Sequence, residues 1–252
     1  MDRDYQYNYS ALKPSVFNAE GRERKARTVL KVCQDYLARE DLTDLTLLDV
    51  GSSSGIIDNL LADYFGTVFG VDIDEPAMAH ARETFAKPNL HFAAGDAMAL
   101  EQDDASVDVV VCSHVYEHVP DASQMFREIY RVLKPGGFCY FSGNNRLMYM
   151  EPHHKLPLLS VIPRPMAHYY LRAAGKGDFY HEKHVSYWAL RKLCEAFNFS
   201  DYSARVIAEP TRFGVDYMLP PGSLKHRLAH FVARGLPWLT PHIWVLAKHG
   251  QD

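Results

Sequence analysis

The chain has 252 residues, 47% of them apolar, enough for a substantial core and ordinary for a globular protein. A formal net charge of −4 disfavours nucleic acid as a partner, and no uninterrupted apolar run is long enough to span a bilayer. Cys33, Cys112, Cys139 and Cys194 form no CxxC pair, and Met1-Asp2-Arg3-Asp4 offers no signal-peptide core; the expected setting is reduced and cytoplasmic, without a disulfide framework.

Tyr5, Tyr7 and Tyr9 alternate with polar residues before Pro14 and read as an arm. Residues 20–39 carry a helical pattern, with Val29, Leu30, Cys33 and Leu37 on one face. Strands are expected at 46–50, 67–72, 90–94, 107–113 and 137–143, with helices between them at 56–64, 75–85 and 122–133. This alternation predicts an α/β, doubly wound, mostly parallel sheet. After Asn145 the pattern breaks into a segment rich in Pro, His and aromatics. Ser186 is a candidate N-cap for a helix over 187–197. The last two strands are expected at 203–208 and 243–248, with a helix over 224–234 between them.

The most informative stretch is Leu47-Leu48-Asp49-Val50-Gly51-Ser52-Ser53-Ser54-Gly55. An apolar run ends in an acid and opens into a small-residue loop before a helix. That geometry brings backbone N–H groups and a helix N-terminus to a polar or anionic ligand. Asp72 ends the next apolar run, where an acid is placed to accept from a ribose diol.

With these residues the chain resembles the class I S-adenosylmethionine (SAM)-dependent methyltransferases, in the broad group of ubiquinone-biosynthesis and small-molecule enzymes. The family's acid-x-Gly-x-Gly-x-Gly motif is matched at Asp49, Gly51 and Gly55 and departs at Ser53. Gly95-Asp96-Ala97, the run Val107 to Ser113 with Tyr116-Glu117-His118-Val119-Pro120-Asp121, and Leu133-Lys134-Pro135-Gly136-Gly137 follow in order. The resemblance covers about the first three-fifths of the chain. It implies a seven-stranded Rossmann-like sheet with a lid inserted after the fifth strand. One domain over 1–252 would comprise an arm and helix (1–40), a SAM-binding core (41–145), a lid (146–185) and a C-terminal part (186–252). It also implies SAM as cofactor and S-adenosylhomocysteine as product. Gly51, Ser53 and Gly55 would pack on the methionine part, with Asp49 ordering that loop or bonding the amino group. Asp72 would take the ribose hydroxyls, Ile73 the adenine face, Asp96 the adenine amino group and Ala97 the ring, while Ser113 would line the sulfonium end.

A hydroxyl acceptor loses a proton during transfer, and histidine suits that task. His118 is the first candidate, from its position after the fourth strand, followed by His184 and His181. For each of them a surface or capping role is the ordinary alternative, and Glu117 either orients a histidine or caps the next helix. His181-x-x-His184 has one-turn spacing and His153-His154 lie in the insertion, but no Cys or acid cluster completes a metal site, so none is expected. Arg22, Arg24 and Arg27 read as a solvated helix face. The apolar 156–171 segment, with basic residues beside it, suits a pocket wall, a homodimer contact or a peripheral membrane contact. The acceptor expected is a hydroxyl of a sugar or a lipid-linked, cell-surface glycan intermediate. The alternatives are a phenol, quinone precursor or natural product, a non-catalytic SAM-binding module, and a nicotinamide-dependent oxidoreductase, whose fingerprint is G-x-G-x-x-G.

Overall fold

Alternating apolar positions explain both faces of the central sheet in a computed structural model, which describes residue 3 and residues 5–250; Met1, Asp2 and Asp4 of the charged N-terminus lie outside it. A helical turn, α1 (Tyr9–Leu12), and a 3-10 turn (Pro14–Phe17) lead into α2 (Ala19–Leu37). Asn18 caps α2 by accepting from the Gly21 N–H. Then follow β1 (Leu42–Val50), α3 (Ile56–Leu61), β2 (Phe65–Asp72), α4 (Glu75–Thr84), β3 (Leu90–Ala94), β4 (Val107–Ser113), α5 (Ala122–Val132) and β5 (Leu133–Gly143). The helix after Pro120 is capped by Asp121, which accepts from the Gln124 N–H, and not by Glu117.

The insertion folds as a small hairpin, β6 (Met150–Glu151) and β7 (Leu156–Pro157), followed by α6 (Arg164–Ala173). It has a core of its own, in which Leu156, Leu159, Ala167, Leu171 and Tyr180 are buried together. Arg146 ties it down, donating to the carbonyls of Ser160 and Val161. Arg164 closes its far side by donating to the Tyr180 and His181 carbonyls.

The remaining elements are α7 (Tyr187–Leu193), β8 (Asn198–Asp201), α8 (Ser203–Ala208), α9 (Leu224–Gly235) and β9 (His242–Ala247). Ser186 caps α7, accepting from the Ala189 N–H. Residues 203–208 are helical, which corrects the expected strand. Ser203 and Val206 are the buried positions, a spacing of three, and the Asp201 carboxylate fixes the helix start by accepting from the Ser203 N–H. The edge strand lies just before them.

The sheet runs β3-β2-β1-β4-β5-β9-β8, parallel through β5, with β9 antiparallel to both of its neighbours. Leu47, Val109, Val111, Phe138 and Tyr140 face one layer of helices; Leu48, Val110, Cys112, Cys139 and Phe141 face the other. The period of two within continuous apolar runs is what a sheet covered on both sides requires. All four cysteines are buried and free. No helix among the described residues is long and apolar enough to cross a membrane.

Candidate active site

Strand order reverses between β1 and β4, and the cleft expected at the carboxyl ends of such strands is present. It holds a cavity of about 600 Å³. Gly51 leaves β1 with φ +89°, and a Cβ there would lie 2.4 Å from Val115 Cγ2; Gly55 has φ +73°, and its Cβ would meet the Phe92 ring at 2.7 Å. Both positions need glycine. Ser53 lies between them with φ +55°, a region that costs a side chain about 1 kcal/mol. Its N–H donates to Asp72 Oδ2 at 2.8 Å, and the Asp74 N–H donates to Oδ1 at 2.9 Å. Burial raises the Asp72 pKa against the pull of those two N–H groups.

Gly51, Ser53, Asp72, Ile73, Asp96, Ala97 and Ser113 all line the cavity. Asp49 and Gly55 are not among its lining residues. Asp49 is 2% exposed beneath the loop, beside Asp58, which sequence reasoning missed. Burial and the Asp58 charge raise Asp49 well above the carboxylate range. Burial also pushes Asp58 up to about 7, although the Ser52 hydroxyl donates to it at 2.7 Å. Asp96 is already engaged: the Arg3 guanidinium donates to it at 2.8 Å. Burial opposes its charge, but the Arg3 bond and the Met98 N–H outweigh burial and lower its pKa.

The tyrosine arm folds across the cavity. The Tyr5 hydroxyl and the Gln6 amide donate to the His118 carbonyl, and the Ser10 N–H donates to Asp74 at 2.6 Å. Arg22 lines the cavity, which corrects its assignment to a solvated face; Arg24 and Arg27 pair with Glu20 and Glu23 on the helix surface.

Opposite the glycine loop, His114, His118, Asn144 and His153 form the wall. Of the three histidines expected to be catalytic, only His118 reaches it. Burial lowers the His118 pKa to about 4. His181 is exposed and stacks on Tyr5 at 4.4 Å, and His184 lies behind the wall with its side chain 1% exposed. His114 has φ +59°; its Nδ1 contacts the Asn144 amide at 3.2 Å and Glu117 at 3.4 Å.

The expectation that no acid joins these histidines is corrected. Glu117 and Glu151, both fully buried, converge with His118, His153 and His184, whereas His181 and His184 lie outside any helix and form no pair. Burial opposes the Glu117 charge, but His114, His118 and His184 pull its pKa down to about 2. For His153 the Glu151 bond outweighs burial and raises the pKa. His153 and Glu151 lie 31 or more positions from Glu117, His118 and His184, so no local spacing could have signalled the group.

Residues 48–141 match the sequence model of a family described as a methyltransferase domain. A ubiquinone biosynthesis O-methyltransferase of Hydrogenovibrio crunogenus is 30% identical over 150 residues, 58% of each chain. The chain therefore spans under two-thirds of that relative's length. One of the same name from Coxiella burnetii is 27% identical over 199 residues, 75% of this chain and 80% of the other. Among solved structures, a chain from the complex of the Haloferax volcanii Trm112 methyltransferase activator with its methyltransferase superposes with a TM-score of 0.57 at 22% identity. That match covers 97% of this chain and 98% of the other. Residues 48–141 therefore carry a methyltransferase domain, set in a fold shared with that solved chain.

Proposed function

We propose that the chain is a class I SAM-dependent methyltransferase, which transfers the methyl group of SAM to a hydroxyl of a small polar acceptor carrying an anionic group, of the sugar-phosphate or lipid-linked sugar class. One observation carries the reading: a single cavity runs from the Asp72 and Asp96 carboxylates to the wall of His114, His118 and His153. The residues fit SAM. The Asp72 carboxylate, oriented by two backbone N–H groups, suits the ribose hydroxyls, and Asp96 suits the adenine amino group once Arg3 yields. Ile73 and Ala97 flank the adenine, Gly51 and Ser53 the methionine part, and Ser113 the sulfonium end. Asp49 acts from beneath the loop. When bound, SAM supplies an electrophilic methyl on its sulfonium.

The chain's own residues then hold an oxygen in line with that methyl and exclude water, and positioning of this kind supplies much of the acceleration. His118 is neutral above its depressed pKa of about 4 and takes the acceptor proton as the oxygen–methyl bond forms. Lys13, Arg22, Lys25 and Lys155 also line the cavity and favour an acceptor with an anionic group over a neutral phenol. Relatives named for O-methylation support oxygen as the nucleophile. In this reading residues 146–185 are the acceptor lid of one domain spanning 1–252.

Calorimetry with SAM, S-adenosylhomocysteine and NAD comes first, with micromolar binding expected for the first two and none for NAD. Sugar phosphates and polyprenyl phenols are then compared by release of S-adenosylhomocysteine. Turnover of the phenols alone would sink the acceptor class. Absence of SAM binding would sink the whole reading.

A further inference from the structure

Methyl transfer leaves unused the group behind the histidine wall. Glu151 Oε1 lies 2.8 Å from His153 Nδ1 and 3.4 Å from His184 Nε2. Its other oxygen, Oε2, is fixed by the His154 N–H at 2.7 Å. Donors about 2.1 Å from a tetrahedral zinc stand about 3.4 Å apart, so the carboxylate and both imidazoles already have nearly the spacing of one face of such a site.

Charge points the same way. Glu117, Glu151 and Glu182 are buried in this one region, and among the described residues their ion-pair partners are histidines alone, with no Lys or Arg. Neither Glu117 carboxylate oxygen has a hydrogen-bond partner, and the Glu117 side chain offers an oxygen within 4.8 Å of donor atoms of His118 and His153. Buried carboxylates at this density need a cation beside them.

We infer that Glu151, His153 and His184 bind a divalent transition metal ion of the zinc class. Imidazole and carboxylate donors without thiolate suit Zn²⁺, Mn²⁺ or Fe²⁺. Three protein ligands leave a coordination position open, and His153 also lines the cavity. Without metal, the His153 Nδ1–H donates to Glu151; with metal, the Nδ1 lone pair faces the ion and the ring keeps its proton on Nε2. The ion joins the β6–β7 hairpin to the segment that leads into α7.

The test strips the full chain with a chelator and titrates it with Zn²⁺, following bound metal and melting temperature. One equivalent at micromolar affinity or tighter, with a raised Tm, is expected. Glu151→Gln and His184→Ala should each weaken binding by more than about 100-fold, since loss of outer-sphere partners alone costs 10- to 100-fold. His226→Ala, at the stacked His226–His230 pair on α9, should leave zinc affinity unchanged. SAM affinity in the same samples reports folding and keeps this result separate from the methyl-transfer reading. If a ligand variant fails to fold, the visible spectrum of the Co²⁺-loaded native chain decides: four- or five-coordinate bands without thiolate charge transfer support the site. Absence of stoichiometric zinc, a six-coordinate or thiolate spectrum, or loss of binding in His226→Ala would overturn it.

Discussion

The two ends of the cavity are built by different means. At the glycine-loop end, each polar group sits within a few residues of a strand terminus, and Asp72 is held by backbone N–H donors. At the histidine end, groups come from the loops after β4 and β5, the hairpin and the segment before α7, and carboxylates are held by imidazoles. The first arrangement is fixed by sheet geometry, and the donors that hold Asp72 are backbone groups that do not titrate. The second depends on packing of the insertion and on what cation the histidines share.

Removing Asp72 tests the first end most severely. Asp72→Ala deletes the acceptor of two charge-assisted bonds to ligand, at roughly 1.5–3 kcal/mol each. SAM affinity should fall by at least about 100-fold; unchanged calorimetric affinity would place the ligand elsewhere.

The contrast in proton dependence is sharpened by Asp58, since the glycine-loop end hides one titrating group beneath it. Its folded pKa of about 7 exceeds the ordinary carboxylate value, so the folded chain binds the extra proton between about pH 4 and 7. Stability therefore falls as pH rises through that window. Asp58→Asn should stabilise the protein at pH 8 by about 1–4 kcal/mol in urea unfolding and leave it unchanged below pH 4. Equal curves for variant and native chain at both pH values would remove Asp58 as the source.

The smallest effect concerns Ser53. Ser53→Gly relieves its left-handed backbone by about 1 kcal/mol in the folded state, partly offset by greater freedom of the unfolded chain. A rise in Tm of a few degrees at most is expected, with SAM affinity equal or slightly tighter. A clear loss of affinity would mean that the serine side chain itself serves the ligand.

The same contrast decides what could be read from the sequence. Asp49, Gly51, Gly55, Asp72 and Asp96 stand at strand ends, where apolar period and loop chemistry are local signals, so the sheet and its loop were legible. Glu151, His153 and His184 carry no such signal; only the folded insertion brings them together. The edge strand β8 was missed because Asn-Phe-Ser-Asp is half-exposed and mostly polar, whereas the apolar Val206-Ile207 pair beside it imitates a strand while packing as a helix. Arg22 was misassigned because helical periodicity tells which side a residue faces but not that the first turns of α2 border a cavity. Asp58 was overlooked because a carboxylate in the first turn of a helix has an ordinary dipole role, and its burial against Asp49 is a tertiary event.

The arm has a consequence for occupancy. Arg3 already occupies Asp96, while its neighbours hold the His118 carbonyl and Asp74. A ligand that needs Asp96 meets a competitor on a tether of its own chain, whose effective concentration is set by the length of that tether and not by the surrounding solution. The measured dissociation constant is then the intrinsic one divided by the fraction of molecules whose arm has lifted.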